Sequence, residues 1–214
     1  MKKKVLRCVY VVFFVFVVMS SYQGTVHSAI YSENFNTASG TGPWTDYSQK
    51  WSSTTYYLDK DSASLTGWTF SGSAFVAEDA NNSSDRAILL NEYQYGHGSM
   101  SASIPVTSGG KYVLTFDYWG DNRPGKDYLF DVSIGSNTYH LGGNWQNSGY
   151  GTWTTAPFTA GGDSVIISFT STSTTEASVI IDNMNISAVP IPPTVLLLGA
   201  GLLGLVGVRR RFKK

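Results

Sequence analysis

Cysteine is almost absent: Cys8 is the only one in 214 residues. It precedes an apolar run rather than following one, so it is not placed as a lipoprotein cysteine, and it leaves with the leader. Disulfides, thiol catalysis and Cys-based zinc sites are thereby excluded from the remaining chain. Histidine is nearly as scarce, with only His27, His97 and His140. No His-x-x-x-His pair and no Gly-x-Ser-x-Gly elbow occurs, so the parts of a zinc or serine hydrolase are missing. His97 lies between Gly96 and Gly98 and reads as a turn residue, while His140 follows Tyr139 and reads as a sheet-face residue. Helical periodicity is missing from residues 29 to 188. So, nearly, is positive charge: that stretch holds Lys50, Lys60, Arg86, Lys111, Arg123 and Lys126 against all fifteen acidic residues, a net charge of −9. An acidic surface of that kind argues against nucleic acid as a partner.

The two ends hold what the middle lacks. Lys2, Lys3, Lys4 and Arg7 precede an apolar run of Val, Phe and Tyr over residues 9 to 19. A basic start and a run too short to span well make an N-terminal signal helix, residues 1–28, with a cut expected after Val26-His27-Ser28. At the other end, Val189-Pro190-Ile191-Pro192-Pro193-Thr194 leads into a nearly pure apolar run from 195 to 208, closed by Arg209, Arg210, Arg211, Phe212, Lys213 and Lys214. The prolines fix φ and offer no N–H to a ladder, so they end the folded segment as a stiff spacer. At about 1.5 Å per residue the run is short against a hydrocarbon core of about 30 Å. The basic cluster belongs on the cytoplasmic side. A transient sorting signal and a tail anchor with a proline linker both have these parts.

Residues 189–214 resemble the PEP-CTERM class of bacterial sorting signals, which joins a Pro-rich box, a Gly/Leu-rich hydrophobic helix and an Arg/Lys cluster. Ile191 stands where that class usually has Glu, and Pro193 where it usually has a small residue, making this a Val-Pro-x-Pro variant. The resemblance implies an exosortase-type membrane protease as a partner, with Val189, Pro190, Pro192, Arg209, Arg210 and Arg211 as the processing signal. It also implies transient insertion in the inner membrane and a mature form on the cell surface or in the secreted matrix.

Between the ends, residues 29–188 read as strands. Residues 111 to 119 alternate, with Tyr112, Leu114, Phe116 and Tyr118 on one face and Lys111, Thr115 and Asp117 on the other. Residues 127 to 134 and 164 to 170 repeat the pattern through Tyr128, Phe130, Val132, Ile134 and through Val165, Ile167, Phe169. Shorter strands are expected at 67–70, 73–77, 86–91, 99–106, 137–141, 151–158 and 178–186, with Gly- and Asn-rich turns between them. Glu78 to Asp85 is a dense run of oxygen donors, read either as a calcium loop, though not an EF-hand, or as a solvated Asx-rich turn. Strands at this spacing predict an all-β domain, a jelly-roll β-sandwich.

The runs Ile88-Leu89-Leu90-Asn91, Ser99 through Val106, Ser108 through Asp121, with Gly67-Trp68-Thr69 before and Ile180 through Met184 after, resemble the galactose-binding-like jelly rolls, among them carbohydrate-binding modules. Strict period two places Asp182 with Ile180, Met184 and Ile186 on a face that reads as core, where a carboxylate needs a cation, an Arg or N–H donors. The resemblance implies Ca²⁺ between the first and last strands, held by Asp182 and Glu33.

Aromatic residues carry the remaining signal. Residues 142 to 153 interleave Asn144, Trp145, Gln146, Tyr150 and Trp153 with glycine. Rings beside amides suit a pyranose, the ring stacking and the amides bonding hydroxyls. Equally, Trp153 caps the sandwich and Trp145 tucks beneath its own loop. Together these features predict an exported, non-catalytic polysaccharide-binding protein. A purely structural, self-associating matrix protein is the alternative, and a glycoside-active enzyme a more distant one.

Overall fold

The computed structural model describes residues 29–39, 45–51, 54–58, 63–79, 82–90, 97–120, 124–144, 150–174, 177–190 and 201. The signal helix, the apolar run of the tail and the Arg209–Arg211 cluster lie outside them. Strands β1 to β5 are Ala29–Glu33, Thr45–Trp51, Thr54–Leu58, Trp68–Gly72 and Ala74–Asp79; β6 to β10 are Asn82–Leu90, Gly98–Pro105, Lys111–Gly120, Asp127–Ile134 and Asn137–Asn144. Tyr150–Thr154, Phe158–Thr159, Ser164–Ser171 and Val179–Ala188 are β11 to β14.

These strands form two antiparallel sheets. One has nine strands in the order β11-β8-β14-β6-β5-β3-β2, with β1 added to β14 and β12 to β8; the other has five, β10-β9-β13-β7-β4. The alternation read from sequence holds in β8, β9 and β13, where Leu114, Phe116, Phe130, Val132, Ile167 and Phe169 are fully buried. Phe116 links the sheets, packing edge-on to Phe169 at 4.9 Å and to Phe130 at 6.3 Å between ring centroids. The result is a β-sandwich whose core draws on the inner face of both sheets. Residues 28–189 form one unit; of the second, 1–27 with 190–214, only Pro190 and Gly201 are described.

Several expectations are corrected. Strand β1 ends on Glu33, which was placed near the first strand, whereas β2 and β3 were not expected. Most of the Glu78 to Asp85 run is strand: Glu78 and Arg86 are cross-strand partners of β5 and β6, Asp79 pairs with Asn82, Asp85 lies inside β6, and residues 80–81 lie outside the described residues. The Glu78 carboxylate is 3.2 Å from the Arg86 guanidinium. The stretch 151–158 is interrupted at 155–157, where the Thr155 hydroxyl accepts the Leu114 amide at 3.0 Å. Gly142 and Gly143 belong to β10 rather than to a loop. Gly120 and Gly143 give room to the Tyr128 ring, which a Cβ would meet at 2.2 Å and 2.7 Å respectively.

The most consequential departure is in β14. Its register with β8 shifts between Asp182 and Asn185, and Asn183 takes φ 48°. A bulge of this kind resets the alternation. Ile181, Met184 and Ile186 therefore face the main core, while Ile180 joins Phe75, Ala77, Ala87 and Leu89 in a second cluster on the opposite face, with Trp119 packed against it. Asp182, directly opposite Asp117 on β8, shares the face of Ile180 rather than that of Met184.

Because Phe116 contacts rings from both sheets, Phe116→Ala is expected to lower stability by about 4 kcal/mol, read as a shift in the denaturation midpoint at unchanged slope.

Candidate functional site

The two outward faces differ in chemistry. On the five-stranded sheet, cross-strand register aligns Thr138, Ser133, Ser168, Ser101 and Thr69 in one row across all five strands. A second row runs His140, Asp131, Thr170, Ser99 and Ser71. His140 is on the sheet surface as expected, its Nδ1 2.7 Å from Asp131. Neither row contains a Phe, Tyr or Trp ring. On the nine-stranded sheet the outward face of β11-β8-β14 carries Tyr150 opposite Trp119, Thr152 opposite Asp117, and Asp117 opposite Asp182.

Tyr150 is 59% exposed. Its ring centroid stands 4.8 Å from that of Trp119, the planes inclined at 59°. Beneath this pair lies a polar network centred on Asp117. The Thr152 hydroxyl donates to Asp117 Oδ1 at 2.6 Å, and the Asn183 side-chain amide donates to Oδ2 at 3.0 Å. Asn183 reaches Asp117 because the bulge turns it toward β8. The Tyr150 phenol titrates above its ordinary value: the Thr152 hydroxyl pulls it down, but hydrogen bonding to Asp117, burial and the charges of Asp117 and Asp182 outweigh that pull.

The sequence grouped Tyr150 and Trp153, and the fold separates them. Three residues apart on one strand, they face opposite ways. Trp153 turns inward, 5.4 Å from Phe116 and 5.2 Å from Tyr139, and closes the side of the sandwich between the two sheets. The capping alternative is thus the one observed for Trp153. Asn144 ends β10 and is exposed, while Trp145 and Gln146 lie outside the described residues. Trp119 was missed, although its signal was present: with Tyr118 inward, strict alternation turns Trp119 outward.

Asp182 and Glu33 lie on adjacent strands, Glu33 opposite Met184. The Asp182 carboxyl is only 6% exposed and accepts its neighbour's backbone amide, Asn183 N, at 2.6 Å. Burial pushes it up to about 7; Asp85, Asp117 and Glu33 push the same way, and only the Asn183 amide opposes. Glu33 Oε1 accepts the Phe35 amide at 2.9 Å, and Oε2 faces the Tyr31 hydroxyl at 3.4 Å. These are hard oxygen donors of the type calcium takes. No three His, Cys, Asp or Glu groups among the described residues are grouped closely enough to hold one ion.

Comparisons with known proteins add the following. No protein-family model matches the sequence, and no curated protein matches it. Among solved structures, the family 61 carbohydrate-binding module TmCBM61, in complex with β-1,4-galactotriose, is 17% identical; the match covers 56% of this chain and 88% of that one at a TM-score of 0.42. The CBM22-1 xylan-binding domain of Paenibacillus barcinonensis Xyn10C is 14% identical, covering 78% and 99%, with a TM-score of 0.42. The C-terminal family 22 carbohydrate-binding module of Clostridium thermocellum Xyn10B is 10% identical, covering 77% and 96%, with a TM-score of 0.45.

The raised Asp182 carboxyl fixes the sign of one pH effect. Between about pH 4 and pH 7 the folded state keeps a proton that the unfolded state has released. Stability from this group is fully present below pH 3.8 and is lost as pH rises to about 7. In chelator, wild type is expected to lose up to roughly 4 kcal/mol across that window. Asp182→Asn, which keeps an acceptor for the Asn183 amide, is expected to flatten that slope in urea titrations at stepped pH.

Proposed function

We propose that this chain is an exported, non-catalytic module of the cell surface or extracellular matrix that binds polysaccharide along the Trp119–Tyr150 edge of a jelly-roll sandwich. One observation carries the reading: an exposed tyrosine ring braced against a tryptophan above a carboxylate, a hydroxyl and an amide. Rings offer a stacking face, and the network offers both donors and acceptors for sugar hydroxyls. The carbohydrate-binding modules compared above, at TM-scores of 0.42 to 0.45, do not carry it. Stacking contributes about 1 kcal/mol per ring, so one module binds weakly and gains from repeated engagement along a polymer. Asn144, Trp145 and Gln146, which precede β11 in sequence, are proposed as further glycan contacts; Trp145 and Gln146 lie outside the described residues.

The export part of the proposal rests on the basic, apolar N-terminus and on the PEP-CTERM-like tail. An exosortase-type protease acts on the proline box while the apolar run sits in the inner membrane, releasing the domain outward. Calcium is the proposed cofactor: Asp182 and Glu33 contribute carboxylate oxygens, and backbone and water oxygens complete the set.

A second reading, glycoside hydrolysis, is favoured by one observation. Asp117 and Asp182 face each other across β8 and β14, and one of them is held up at about 7, as an acid–base pair requires. Their surroundings argue against it. Asp182 is buried, and both Asp117 oxygens already accept internal donors.

Three tests follow from these readings. In affinity electrophoresis through the host's own exopolysaccharide, the full-length chain in mild detergent should be retarded, and Tyr150→Ala should abolish most of the retardation without lowering the melting temperature. Self-association without retardation points instead to a structural protein, and shortened polysaccharide to a hydrolase. Intact-mass analysis of the protein from its host is expected to lack residues 195–214; finding them attached makes the tail an ordinary anchor. At pH 8, millimolar Ca²⁺ should raise the melting temperature of wild type but not of Asp182→Asn, and an identical response in both removes calcium from Asp182.

A further inference from the structure

Resting on the glycan reading of the same site, the geometry points to a ligand class: we propose that the corner between Trp119 and Tyr150 takes the protonated amine of an amino-sugar polymer, with Asp117 as its counter-ion. Two rings inclined at 59° with centroids 4.8 Å apart form a corner rather than a flat platform. A flat platform serves a neutral pyranose face. Two inclined π faces converge on a compact cation, which is drawn to the electron-rich face of each ring.

The carboxylate supplies the second half of the argument. Asp117 is fixed in place by Thr152, Asn183 and the Tyr150 hydroxyl, all uncharged donors. They orient the carboxylate without cancelling its charge, and of its roughly four lone-pair sites one is left for a further N–H. The surrounding charge has the same sign. Asp85, Asp117 and Glu33 all act on Asp182, and residues 29–188 carry −9. A uronate or sulfated chain approaching this face meets like charge. An N-acetylated sugar gains only stacking and neutral hydrogen bonds. A free amine gains the carboxylate and both rings, in a setting where the protein supplies no positive charge to Asp117 through Thr152, Asn183 and Tyr150. Charge complementarity therefore selects the amine-bearing polymer from among the glycans the aromatic edge accommodates.

The test compares β-1,4-linked glucosamine oligomers with their N-acetylated counterparts of equal length, by titration calorimetry on the full-length chain at pH 6 and fixed calcium. Wild type should prefer the amine form by roughly fivefold or more, and the preference should shrink as salt is raised from low to physiological strength. Asp117→Asn should bring the ratio to about one while N-acetylated binding persists; Asp163→Asn, in the turn before β13, should leave the ratio unchanged. Tyr150→Ala should weaken both ligands. Equal affinity of wild type for the two oligomers overturns the amine assignment and leaves the glycan reading standing. An equal loss in Asp163→Asn and Asp117→Asn reduces the preference to bulk charge and overturns it too. If neither oligomer nor the native exopolysaccharide binds, the glycan reading itself fails. The salt dependence of wild type decides the matter even where Asp117→Asn does not fold.

Discussion

The last strand holds the larger sheet together through a divided edge. Along one side β14 bonds to β8. Along the other, β6 takes Val179–Ile181 and β1 takes Met184–Ser187. Asp182 and Asn183 sit where one partner ends and the next begins. The bulge there lets β14 serve both partners while keeping Ile181 and Met184 in the core. The cost is concentrated at that point: a non-glycine residue at positive φ and a buried carboxyl among other carboxylates. The benefit is positional, since the same turn of backbone sends the Asn183 amide to Asp117 and fixes the polar floor of the aromatic corner.

Much of the sandwich was legible because burial on one face of a strand imposes period two, and β8, β9 and β13 obey it without interruption. Strands β2 and β3 were not legible. Residues 45–51 and 54–58 mix Ser, Thr, Tyr, Lys and Gln with no apolar face to read. The bulge was hidden for a different reason: Ile-Ile-Asp-Asn-Met-Asn-Ile continues to look periodic on paper. An Asp-Asn pair inside a strand is a signal of local turning, because short polar side chains tolerate left-handed backbone. Taken seriously, it would have moved Asp182 off the Met184 face. Within the candidate site, Tyr150 was named, while Asp117 was given its outward sense but no place in the site. Trp153 was misgrouped by reading composition where parity was needed, and Trp119 was overlooked by not carrying parity one residue further.

The two outward faces differ in physical terms. The row headed by Thr138 offers a hydroxyl on each of five strands, while the row headed by His140 carries an imidazole, a carboxylate and three hydroxyls; Leu129 and Ile166 on the same strands are exposed. The Tyr150 side concentrates aromatic surface and negative charge in a small area.

Strand β14 is also the last to emerge when the chain is threaded N-terminus first. Until residue 188 is available, the β5–β6 hairpin and the β8–β11 pair have no common neighbour, and the nine-stranded sheet exists as separate pieces. The five-stranded sheet contains no part of β14, but the larger sheet depends on it, and contacts between residues 29–33 and 184–187 close the span from β1 to β14 into one loop. The same topology makes β14 a natural cut point. Without residues 177–190, β8 and β6 lose the strand that joins them and β1 loses its partner.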